Sequence, residues 1–176
     1  MTTDDEARTT TGRLVRTPRT ILGPYFTLGK PLRATVETDD DRATFTITGR
    51  VFNGLGQPVP HTLIETNQPE GWTRSFSELD GVYRISTVKP TVGGGRSPHL
   101  TVLVAPGNFM IRPALTCLYF PDEDNETDEL FAQLSPEQRA TLLARTTDDG
   151  YEFDIHLTGE SETTFFGWPG LHDDAD

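Results

Sequence analysis

With 176 residues, 34% of them hydrophobic and 24% charged, the chain suits one domain with one core and is too apolar to read as disordered. Its formal net charge is −12, with acids clustered at 4–6, 39–41, 122–129 and 173–174. Such a surface repels phosphate backbones and anionic lipid, which argues against nucleic acid and membrane as partners. A single cysteine, Cys117, excludes an intrachain disulfide, and no apolar run has the length of a membrane span or of a signal-peptide core, so the expected location is cytoplasmic.

In chain order, residues 1–16 are polar and predict a flexible arm, and Gly23-Pro24-Tyr25 predicts a rigid turn between apolar residues. Phe45, Ile47 and Val51 alternate with threonines, the pattern of a half-buried strand that ends in the turn Asn53-Gly54-Leu55-Gly56. Further strands are expected at 61–66, after the Asp80-Gly81 turn at 82–88, at 100–105 and at 111–120. The third of these is nearly continuous in apolar residues and so is placed centrally. Gly93-Gly94-Gly95 reads as a flexible loop. One helix is predicted over 136–144: Ser135 caps it, Pro136 sits at its first position, Gln138 completes a capping box, and Leu142 and Leu143 supply its apolar face. Tyr151, Phe153, Ile155 and Leu157 then alternate with polar residues, and a last run covers 163–168. Many short strands with one short helix predict an all-β, two-sheet sandwich. Its core should include Phe45, Ile47, Leu100, Val102, Val104, Leu118, Phe120, Phe153 and Ile155. The domain is expected over 17–168, with an acidic tail at 169–176.

Four stretches carry a resemblance. These are Thr17-Pro18 through Gly23-Pro24-Tyr25; Gly49-Arg50-Val51 through Pro58-Val59-Pro60, with Glu65 and Gln68; Lys89-Pro90, Pro98-His99 and Leu118-Tyr119-Phe120-Pro121-Asp122-Glu123; and Tyr151-Glu152-Phe153-Asp154-Ile155 with Gly159 and Glu162-Thr163. Together they resemble the intradiol ring-cleavage dioxygenase family, and within it the α-type subunit of protocatechuate 3,4-dioxygenase. Catalytic members of that family hold a non-haem Fe(III) with two tyrosines and two histidines, since hard phenolate oxygens stabilise the ferric state and imidazoles complete the site.

This chain departs from the pattern at the ligands. Asn67-Gln68-Pro69-Glu70-Gly71-Trp72 occupies the shortened region of the first tyrosine, Thr91-Val92 and glycines that of the second, and the H-x-H pair reads His99-Leu100-Thr101. Only His99 remains, as a vestigial position, so no catalytic or metal-binding residue is assigned. Of the other candidate donors, Tyr119 and Tyr151 are expected in the core, His156 on a solvent-facing side, and His172 in the tail. Two arginines of the α-type pattern are also missing. Ala105-Pro106-Gly107 replaces an A-R-G triplet, and Cys117, expected to be a buried small apolar residue, stands where the second would lie.

The resemblance implies a chain with no cofactor of its own that works with an iron-binding, Fe(III)-carrying β-type partner on a catechol-type aromatic small molecule and O₂. Gly23, Pro24 and Tyr25 would reach a shared substrate pocket. Phe165, Phe166 and Trp168 near the terminus are candidate anchors for a larger oligomer. The alternatives are a repurposed, metal-free paralogue that binds or converts another aromatic metabolite, and a purely structural partner.

Overall fold

A computed structural model describes residues 32–36, 42–91, 93–106 and 113–167. The predicted arm at 1–16, the Gly23-Pro24-Tyr25 turn, Trp168, His172 and the tail lie outside the described residues. Among the described residues nine strands form two sheets: β1 (Phe45–Phe52), β2 (Leu63–Gln68), β3 (Gly71–Phe76), β4 (Val82–Thr87), β5 (His99–Ala105), β6 (Ala114–Tyr119), β7 (Arg145–Thr147), β8 (Gly150–Glu152) and β9 (Ile155–His156). One sheet has the order β4-β1-β8-β7, with β9 also on β1; the other has the order β3-β2-β5-β6. The expected two-sheet sandwich is the observed one.

The core lies between the sheets. Ile47, Leu100, Val102, Val104, Leu118, Phe120, Phe153 and Ile155 are all buried in one cluster, and Phe45 packs on its edge. The alternation along β1 and β5 explains this: with a period of two, every second side chain must point at the opposite sheet. Each fully buried aliphatic contributes about 1.5–3 kcal/mol.

The tail of the fold threads back beside β1. Thr46–Thr48 pairs in parallel with Gly150–Glu152, and Val51–Phe52 with Ile155–His156. The single strand expected over 151–157 is therefore two short ones, interrupted at Phe153 and Asp154. At the interruption a Cβ on Gly49 would lie 1.8 Å from the Phe153 carbonyl oxygen and 2.8 Å from the Tyr83 ring. Tyr83 donates to that same carbonyl at 2.6 Å. No other residue fits at position 49, which gives the Gly-Arg-Val motif a packing reason.

Four expectations are corrected. Two short helices occur instead of one: α1 (Glu129–Ala132), capped by Asp128, and α2 (Pro136–Ala140), capped by Ser135 in the expected capping box. The second stops at Ala140, and Leu142 and Leu143 lie beyond it. There Tyr119 N–H donates to the Leu142 carbonyl and Ala144 N–H to the Tyr119 carbonyl, so bridging to β6 replaces the next helical turn. Strand β3 was not anticipated, because residues 67–72 read as a shortened loop; in the structure Pro69 and Glu70 form the tip of a hairpin. The glycine loop is a tight turn in which Gly94 and Gly95 have φ of 66° and 74° and Gly93 bridges Arg96. Finally, His156 is half-buried and stacks on Phe52 at 5.0 Å instead of facing solvent freely.

Candidate functional site

The three regions that carry iron ligands in the resemblance converge in space. The β2–β3 hairpin, the stretch after Lys89-Pro90 and the start of β5 surround a cleft of about 370 Å³ lined by Asn67, Gln68, Thr91, Arg96, His99 and Thr101, among others. The cleft lies at the end of the β3-β2-β5-β6 sheet and extends over its outer face. His99 and Thr101 point outward there because Leu100 and Val102 point into the core.

His99 is half-buried, and its Nδ1 lies 2.7 Å from the Ser97 carbonyl oxygen. A carbonyl only accepts, so Nδ1 carries the proton and Nε2 keeps its lone pair. The ring stacks on Tyr119 at 5.3 Å. Burial above all, with help from the Arg96 cation, lowers its pKa and keeps the imidazole neutral.

Arg96 follows the glycine turn. Its Nε donates to Asp128 Oδ2 at 2.6 Å and its Nη2 to the Tyr119 hydroxyl at 2.7 Å. The Asp128 side chain is 0% exposed and also accepts from the N–H groups of Ser97, Leu130 and Phe131. Burial alone would raise its pKa, but the Arg96 and backbone donors outweigh that and hold it below the usual carboxylate range. Cys117, expected to be buried, is buried.

A second network braces the hairpin. Glu70 Oε1 accepts from Arg42 at 2.9 Å and from the Thr91 N–H at 2.9 Å, while Oε2 accepts from Gln68 at 3.0 Å. Gln68 in turn donates to the Val88 carbonyl and accepts from Thr87. Burial pushes the Glu70 pKa up, yet these donors prevail and bring it down to about 2. A third network explains the Lys-Pro and Pro-Asp-Glu motifs. Lys89 Nζ meets Asp122 at 2.6 Å and Glu123 at 3.0 Å, over the rings of Phe120 and Tyr151.

The residues present do not fit an iron site. Among the described residues His99 is the one imidazole lining the cleft, and its neighbours there are hydroxyls, amides and the Arg96 guanidinium. Among the described residues no group of three or more His, Cys, Asp or Glu side chains could hold a metal. The described tyrosines also fail as donors. Tyr83 and Tyr119 are buried, and burial raises both phenol pKa values. Tyr151, also buried as expected, donates to Asp122. Each hydroxyl is already engaged: Tyr83 with the Phe153 carbonyl, Tyr119 with Arg96 and Tyr151 with Asp122. The sequence reading missed Arg96 and Asp128, which lie outside every motif; the neighbouring glycine run was the available signal.

Phe165 and Phe166 fold back on their own chain. Phe165 packs on the main core, and the Phe166 N–H donates to the Leu115 carbonyl at 2.7 Å.

No family model matches the chain. It is 28% identical to the protocatechuate 3,4-dioxygenase α chain of Burkholderia cepacia, over 87% of this chain and 98% of the relative. Against the β chain of the same organism identity is 28%, over 66% of this chain and 65% of the relative. Among solved structures, it is similar to the dioxygenase domain of a dioxygenase–carbohydrate-binding protein fusion from Streptomyces sp. SirexAA-E. The TM-score is 0.60 and identity 28%, covering 81% of this chain and 98% of that one. In sequence and in fold, this is an intradiol dioxygenase-like chain that resembles the α-type subunit of protocatechuate 3,4-dioxygenase.

Proposed function

We propose that this chain is the non-iron-binding, α-type subunit of a cytoplasmic intradiol ring-cleaving complex, with Fe(III) held by a β-type partner that acts on a catechol-type substrate with O₂. The observation that carries the reading is a contrast within one domain. The sandwich core is complete, and Gly49 still meets Phe153, yet the cleft offers His99 alone. A scaffold kept without its ligands serves an assembly better than it serves solitary catalysis. Similarity to both α and β chains supports an α/β hetero-oligomer. Gly23, Pro24 and Tyr25 are proposed to reach the partner's substrate pocket, from a domain spanning 17–168. Among the described residues no helix is long and apolar enough to cross a membrane.

The chain's own residues would then bind and orient. The braced hairpin and the Lys89 cluster hold the rim of the sandwich rigid, and the ring opening takes place on the partner's metal. Co-expression with a β-type subunit that has the full ligand set tests this. The expected result is a stable hetero-oligomer by light scattering, an interface above about 1,000 Å², iron in proportion to the β chain, and ring cleavage that needs both chains. A chain that stays monomeric and leaves the partner's activity unchanged would overturn the reading.

A further inference from the structure

We propose that the His99–Arg96 cleft is a metal-free binding site for a small aliphatic hydroxy acid, of the size of a sugar acid. Its carboxylate would lie on Arg96, and one hydroxyl would donate to His99 Nε2. This goes beyond the subunit reading, because it concerns a site within this chain alone.

The first argument is the fixed cation. Arg96 is a third exposed and lines the cleft. Two of its N–H groups are spent on Asp128 and Tyr119. A guanidinium has five, so at least two remain for a ligand, in the planar fork that matches a carboxylate. Asp128 does not compete for this role. It is wholly buried and already accepts from Arg96, Ser97, Leu130 and Phe131, so it sets the direction of the guanidinium.

The second argument is the adjacent acceptor. His99 Nδ1 is tied to the Ser97 carbonyl, and Nε2 has no partner among the described residues. A neutral imidazole presents a lone pair there, which calls for an O–H or N–H on the ligand. A simple carboxylate lacks one, whereas a hydroxy acid carries both groups.

The third argument is the wall. Among the described residues lining the cleft, all but two prolines and a glycine carry a polar group on the side chain. An aromatic ring would strip water from these groups and return no hydrogen bonds, which is costly. A polyhydroxylated chain replaces the lost water contacts, and about 370 Å³ accommodates one six-carbon acid. Thr101 lies two residues beyond His99 on the same face and offers a further hydroxyl.

Calorimetry on the full-length chain in EDTA, with D-gluconate as the probe, tests the site. Saturable one-to-one binding with a Kd at or below about 1 mM is expected. Sorbitol, which lacks the carboxylate, and hexanoate, which lacks the hydroxyls, should each bind at least about tenfold more weakly, and so should 4-hydroxybenzoate. Arg96→Lys keeps a charge against Asp128 but loses the fork, and should weaken gluconate at least about tenfold. Thr101→Phe should abolish binding by filling the cleft floor, with circular dichroism and the melting temperature unchanged. The inference is overturned by any of four results: no saturation below about 10 mM, equal or tighter binding of 4-hydroxybenzoate, undiminished binding by a folded Thr101→Phe variant, or binding that requires added Fe(III). The partner assay is separate, so a chain that assembles but ignores gluconate would lose this inference alone.

Discussion

The two faces of the β3-β2-β5-β6 sheet are built by different rules. The inner face presents Ile64, Leu100, Val102, Val104 and Leu118, all nearly inaccessible to water. The outer face, one residue out of step, presents Asn67, His99, Thr101, Cys117 and Tyr119, organised by Arg96 and Asp128. Apolar area holds the first, whereas the second combines the Arg96–Asp128 ion pair with a smaller apolar cluster of Cys117, Tyr119, Phe131 and Leu142. The comparison shows how one face of a strand can vary while the other keeps the fold: the side chains of adjacent residues pack against different neighbours.

The largest effect is expected where charge is buried. Asp128→Ala would strip Arg96 of its counter-ion and leave the Ser97, Leu130 and Phe131 N–H groups unpaired, a loss of about 4 kcal/mol in denaturant unfolding. A loss below about 1 kcal/mol would mean the outer face is not held by this pair.

On β5 itself the two faces can be set side by side. Leu100→Ala should cost about 3 kcal/mol, since Leu100 is fully buried in the core. Thr101→Ala, one residue away and half-exposed, should cost less than about 0.5 kcal/mol. Equal losses in urea melts would refute the division into faces.

Acid should separate the faces as well. Glu70 is 7% exposed and its carboxyl is held at about 2, below its ordinary value of 4.5. A depressed carboxylate stabilises the fold fully above about pH 5 and loses that contribution as the pH falls from 4.5 through 2. Glu70→Gln should therefore lower stability by about 2 kcal/mol at pH 7, with the gap to wild type narrowing below pH 4.5. A gap independent of pH would show that Arg42 and Glu70 contribute shape and not charge.

The smallest effect leaves stability untouched. Burial pushes the Cys117 thiol up to about 11, despite the lowering influence of Arg96. Iodoacetamide at pH 8 should alkylate the native chain far more slowly than the urea-unfolded one. Equal rates would place Cys117 in an open site.

How much was legible varies with the range of the interactions. The alternation of Phe45, Ile47 and Val51 and of Leu100, Val102 and Val104 identified inner-face strands, because strand periodicity is a local property. The capping box of Ser135 and Gln138 was equally local. Leu142 was misassigned to the helix, because bonding to Tyr119, 23 positions away in sequence by the numbering, ends the helix at Ala140. Strand β3 was hidden since Trp72-Thr73-Arg74-Ser75-Phe76 becomes a strand by pairing with β2, and residues 67–72 alone look like a loop.

The sequence by itself determined the sandwich and its inner face, since each is a matter of which residue types recur along a short stretch. Only the tertiary structure decided what the cleft became. Arg96 stands beyond the motifs, yet the Gly94-Gly95 turn carries it to Asp128 and Tyr119, both more than twenty positions further on. Such a meeting depends on how two sheet ends and a helix cap pack together, and no local pattern encodes it.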